Sequence, residues 1–112
     1  MPASNRTMIH KLQTAINENG GCILIDRVQF FSEEQGRPIS LYKISTPGEV
    51  MKNGKRKKDE LFLTPSQIQV VLYLRDYWYW MQGKEIPTDN EMWNDIKKEK
   101  GIEFPTESKK ES

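Results

Sequence analysis

Residues 63–93 read LTPSQIQVVLYLRDYWYWMQGKEIPTDNEMW and hold all three tryptophans and three of the four tyrosines of the chain. At 100° per residue, Ile68, Val71, Leu72, Trp78 and Tyr79 fall on one side of a helix, with Arg75 among them. Val70, Leu74, Tyr77 and Met81 fall on a second side. Two apolar faces predict a central helix, sandwiched between a sheet and another helix. Each aromatic that it buries removes roughly 150–250 Å² from water, so a few of them supply much of a small core. Gln69, Tyr73, Asp76 and Trp80 form the remaining strip. Tyr73 and Trp80 are therefore expected at the surface, as candidate partner-binding residues.

The boundaries of this helix are written in capping signals. Thr64 suits the N-cap, Pro65 the first helical position and Gln67 the third, in the manner of a capping box. The helix is expected to run to about Gln82 and to stop at Gly83. Ile86-Pro87-Thr88-Asp89 restarts the chain, and NEMWNDIKKEKG predicts a third helix with Met92, Trp93 and Ile96 at helical spacing.

Upstream, Ser4 or Asn5 caps a first helix in which Met8, Ile9, Leu12, Ala15 and Ile16 make one apolar stripe, ended by Asn19-Gly20-Gly21. CILIDRVQFF and ISLYKIS read as two strands of an antiparallel hairpin around a Gly36-containing loop, and TPGE closes that unit. VMKNGKRKKDELFLT has two readings. It is a second hairpin with Asn53-Gly54 as a two-residue turn, or a flexible basic loop followed by a short strand ELFL. The expected fold is α+β: a small antiparallel sheet of one or two hairpins packed on the central aromatic-rich helix, with two flanking helices. Residues 1–103 are expected to form one compact domain and residues 104–112 a disordered tail.

With 17 basic against 16 acidic side chains the net charge is +1, so no overall field draws the chain to nucleic acid or anionic lipid. Any electrostatic site must come from local clustering. The lone Cys22 cannot pair internally and, beside the apolar ILI run, reads as a small buried hydrophobe. One cysteine and a polar amino-terminal stretch suit a soluble protein of the cytoplasm. The polar and charged residues Gln67, Gln69, Arg75 and Asp76 make the longest apolar helix unsuited to a membrane.

Leu63, Thr64, Gln67, Val71, Leu72, Gly83, Pro87, Thr88, Glu91 and Met92 carry a partial resemblance to the winged-helix DNA-binding domain of LexA-type repressors. The similar stretch is residues 63–96, corresponding to that domain's first two helices. The resemblance implies a helix–turn–helix-like packing of the second and third helices. In that family a recognition helix follows; here KKEKGIEFPTESKKES follows, so direct base reading is not implied.

KNGKRKK offers Lys52, Lys55, Arg56, Lys57 and Lys58, cations that suit phosphate contacts from a basic wing, although Asp59 and Glu60 follow at once. One histidine, His10, and one cysteine, far apart, support neither a zinc site nor a Cys/His catalytic pair. Paired carboxylates lie in turn or cap signals, and no glycine-rich phosphate loop is present. The sequence therefore predicts no enzyme, cofactor or metal site. It points first to a small nucleic-acid-associated regulatory or accessory protein using the basic segment for backbone contacts. The alternative is a protein-interaction module, an inhibitor or adaptor of a phage or mobile element, binding through Tyr73 and Trp80.

Overall fold

A computed structural model describes residues 4–50, 52–54, 56–102 and 104, with backbone only for residues 48–50 and 56–58. Helix α1 (Asn5–Glu18) is followed by strands β1 (Leu24–Ser32), β2 (Arg37–Val50) and β3 (Arg56–Thr64), then helices α2 (Gln67–Met81) and α3 (Glu91–Lys100). The strands form one antiparallel sheet in the order β1-β2-β3. The expected α+β class is what the chain adopts. Among the described residues, no helix is long and apolar enough to cross a membrane.

Ser4 begins α1, its Oγ accepting the Thr7 amide at 3.2 Å. After the helix ends, Asn17 holds the chain against it. Its Oδ1 accepts from the Ile23 amide at 2.7 Å and its Nδ2 donates to the Ile23 carbonyl at 3.3 Å. The Gln13 amide donates to the same carbonyl at 2.9 Å. Ile23 thus enters the core fully buried with its backbone satisfied. Cys22, one residue earlier, is exposed rather than buried. The apolar run predicted its burial, but alternation turns every second residue away from the core and the inward position belongs to Ile23.

Both hairpins form, with two departures in detail. Strand β2 does not close at Thr46-Pro47-Gly48 but continues to Val50, and its register shifts between Ile44 and Ser45 and between Pro47 and Val50. A proline in a central strand removes a ladder donor, and irregular pairing accommodates the loss. Asn53-Gly54 sits within a longer connection between Val50 and Arg56. Gly54 has φ +87° whereas Asn53 does not have positive φ, so the two do not make the mirror-image turn that requires both.

Paired residues point to one face of a sheet. Ile25, Ile44 and Phe62 are aligned across the three strands, as are Arg27, Tyr42 and Thr64. Ile44 and Phe62 join Ile16, Ile23, Val70, Leu72, Tyr73, Leu74 and Trp93 in one buried cluster, placing this face against the helices.

The start of α2 is offset from its expected position. Thr64 ends β3, and Ser66 is the cap, accepting from the Gln69 amide at 3.4 Å. Buried Thr64 becomes a relay instead: its Oγ1 accepts from the Ser66 amide at 3.2 Å and donates to Gln69 Oε1 at 2.7 Å.

Helix α2 is interior, but not with the predicted outer strip. Tyr73 and Asp76 are buried, at 5% and 0% exposure, while Ile68 on a supposed inner face is 43% exposed. The wheel misplaced Asp76 because Trp93 and Lys97 of α3 cover it, and Tyr73 because Phe62 of β3 and Phe104 pack on its ring. Trp93 is fully buried, and its indole Nε1 donates to Asp76 Oδ2 at 2.9 Å while Lys97 Nζ donates to the same oxygen at 2.7 Å. Arg75 reaches Asp76 Oδ1 through Nε at 3.3 Å and Nη2 at 3.2 Å. A carboxylate supplied with that many donors can occupy a position that composition assigns to water.

A cationic cleft at the helix amino termini

Two cavities fix the relative direction of α1 and α2. One is lined by Arg6 and Ile9 from the start of α1 and Gln67, the first residue of α2. The other is lined by Asn19, Gly20 and Gly21 after α1 and by Tyr77, Trp80 and Met81 from the end of α2. The helices therefore lie side by side and parallel, with both amino termini at one end of the molecule.

The amino-terminal cleft has a volume of about 360 Å³ and is completed by Arg27 and Tyr42 from the sheet. Arg27 and Tyr42 are direct partners across β1 and β2, and the Arg27 guanidinium carbon lies 4.7 Å from the Tyr42 ring centroid. Gln67 Nε2 donates to the Tyr42 hydroxyl at 2.8 Å, fixing the ring. Arg27 continues inward-facing alternation from Ile23 and Ile25, yet it stands at the margin where core gives way to solvent and is itself exposed.

Among the described residues no acidic side chain lines the cleft, and neither α1 nor α2 has one in its first turn. Among the described residues, neither Arg6 nor Arg27 forms an ion pair. Each helix adds roughly half a positive charge at its amino terminus. Two arginines and two helix ends thus border one concavity, with no carboxylate among the described lining residues, an arrangement that favours an anion with several acceptor oxygens.

Of the residues proposed for nucleic-acid contact, Lys52 is exposed in the β2–β3 connection. Lys55 lies outside the described residues, as do the side chains of Arg56, Lys57 and Lys58, whose backbone opens β3. The segment is a hairpin, not a loose loop. At about 3.3 Å per residue, the end of β2 at Val50 is roughly 25 Å along the strand from Tyr42. That exceeds the screening length of about 8 Å at physiological salt, so wing and cleft are separate electrostatic features.

The predicted aromatic pair is not a pair. Tyr73 is buried: its ring stacks on Phe62 at 5.2 Å and meets Phe104 at 5.4 Å. Burial, reinforced by Tyr77, pushes its hydroxyl above the ordinary tyrosine pKa. It is therefore removed as a surface contact. Trp80 is only partly buried and lines the carboxyl-terminal cavity, edge-on to Tyr77 at 5.3 Å.

Arg6, Arg27, Tyr42 and Gln67 escaped sequence reading because they come from separate elements. The available signal was Arg27, a cation in period-two phase with Ile23 and Ile25. Among the described residues, no group of three His, Cys, Asp or Glu side chains is placed to hold a metal ion. No protein-family model, curated protein or solved structure matches the chain.

Proposed function

We propose that the protein is a small cytoplasmic nucleic-acid-associated regulatory or accessory protein that grips the phosphate backbone. The observation that carries this reading is the placement of Arg6, Arg27 and two helix amino termini around one cleft in which no acidic side chain is found among the described lining residues. The Lys52–Lys58 hairpin supplies a second, more diffuse contact to the same polyanion. Base readout forms no part of the proposal. The LexA-type likeness contributes to it only through the packing of α2 with α3.

Backbone contacts release condensed counterions, so affinity falls with salt in proportion to the phosphates neutralised. Fluorescence anisotropy with mixed-sequence duplex and single-stranded DNA at several salt concentrations measures that slope. Replacing both Arg6 and Arg27 with Gln is expected to reduce the slope by about two and to weaken all sequences alike. Neutralising Lys52, Lys55, Arg56, Lys57 and Lys58 is expected to reduce it further. Absence of binding at low salt, or binding indifferent to the two arginines, overturns the assignment.

A further inference from the structure

The opposite end of the parallel helix pair has the reverse electrostatic character. Asn19, Gly20, Gly21, Tyr77, Trp80 and Met81 line an open cavity of about 370 Å³. Tyr77 and Trp80 stand at 65° to each other with centroids 5.3 Å apart, so their rings form a corner. Met81 supplies a polarisable wall, and Gly21 brings the backbone close. A Cβ at Gly21 would lie 3.2 Å from Met81 Sδ and 2.6 Å from Ile16 Cγ2.

The carboxyl terminus of a helix carries roughly half a negative charge, and both α1 and α2 end here without a basic residue in the last turn. Glu18, the exposed last residue of α1, precedes the lining Asn19 by one position. Lys84 follows α2, but its Nζ lies 5.8 Å from the centroid of Tyr79, a ring that does not line this cavity.

Apolar walls, a two-ring corner and a negative field suit one ligand chemistry: a cation whose charge is spread over methyl or methylene groups. We infer that this cavity binds an alkylammonium group, either a lysine head presented by a partner or a small quaternary ammonium. A bare metal cation lacks apolar surface for the rings, and an anion is opposed by both helix ends. This site is independent of the phosphate-binding reading, because it lies at the other end of the helices and attracts the opposite charge.

Amide and indole NMR of the complete, ¹⁵N-labelled chain tests it, with sodium chloride holding ionic strength constant. Tetramethylammonium and n-butylammonium are titrated beside tert-butanol, an uncharged probe of comparable apolar size. Saturable shifts of the Gly20, Gly21 and Trp80 resonances with an ammonium, at least about tenfold weaker with tert-butanol, are expected. A preference for tetramethylammonium identifies the quaternary source, and one for n-butylammonium the lysine head. Trp80→Leu is expected to weaken binding about tenfold, while an unchanged Trp93 indole resonance verifies the fold. Equal binding of alcohol and ammonium, or no saturable response from the wild-type chain, overturns the inference.

Discussion

Asp76 is the residue whose removal should damage this fold most for its size. The carboxylate is fully buried and accepts from Arg75, Lys97 and the Trp93 indole at 2.7–3.3 Å. These partners differ in what they would lose. The Arg75 side chain is 23% exposed and also reaches the exposed Asp89 at 3.6 Å, so water can replace much of its bond. Lys97 is only 15% exposed, and Trp93 is fully buried. Asp76→Ala leaves a mostly buried ammonium and a buried N–H without their acceptor, a loss of about 3–5 kcal/mol. For a domain this size that lowers the melting temperature by about 12–20 °C. Against a total of about 5–15 kcal/mol, the least stable case would be about half unfolded. Urea unfolding followed by circular dichroism and tryptophan fluorescence measures the loss. The double variant Asp76→Leu, Lys97→Met removes the carboxylate and its less exposed cation and should recover at least half of it, since the indole N–H then lacks a partner while Arg75 keeps access to water and Asp89. A loss below about 1 kcal/mol in Asp76→Ala would refute the view that this carboxylate organises the α2–α3 contact.

Three further outcomes follow from the packing. Gly21→Ala places a methyl 2.6 Å from Ile16 Cγ2 and 3.1 Å from the Ile16 carbonyl, and Ile16 is fully buried, so chemical denaturation should reveal a loss of about 1–3 kcal/mol. Ser45 is fully buried and its Oγ has no hydrogen-bond partner among the described residues, so Ser45→Ala should be neutral or stabilising by up to about 1 kcal/mol in the same measurement. Burial raises the pKa values of Tyr73 and Tyr77. Below about pH 10 folded and unfolded chains both keep these phenolic protons; above it the unfolded chain releases protons that the folded chain retains. Stability should therefore hold up to about pH 10 and fall beyond it. Absorbance at 295 nm should show these two rings ionising late, with the unfolding transition, rather than at the ordinary tyrosine value.

Local signals carried the element order well. Ser4, the glycines after α1, the alternation of residues 24–32 and the periodicity of residues 67–81 each act over a few residues, and the elements formed in the expected order, with α2 starting later than its expected cap and β2 running on to Val50. The inward faces held for Ile16, Val70, Leu72, Leu74 and Trp93; what failed was the side assigned to Tyr73, Asp76, Ile68 and Cys22. Tyr73 and Asp76 share a helical strip with Gln69 and Trp80, and nothing within α2 reveals that Trp93 and Lys97, some 20 residues later, will cover and neutralise Asp76. Cys22 failed in the opposite sense, because the apolar run around it does not say which phase of the alternation points inward.

The candidate sites were less legible than the core for a related reason. The Lys52–Lys58 cluster is visible because its charges are contiguous, whereas Arg6, Arg27, Tyr42 and Gln67 become neighbours only through the parallel arrangement of α1 and α2 across one sheet face. That arrangement also gives the cleft its sign. An antiparallel helix pair would set a positive end beside a negative one and cancel the dipoles at both cavities. Running parallel, the pair reinforces the arginines at one end and the aromatic corner at the other. In a chain with net charge +1, the proposed preference for an anion at one end and a cation at the other therefore rests on topology more than on composition.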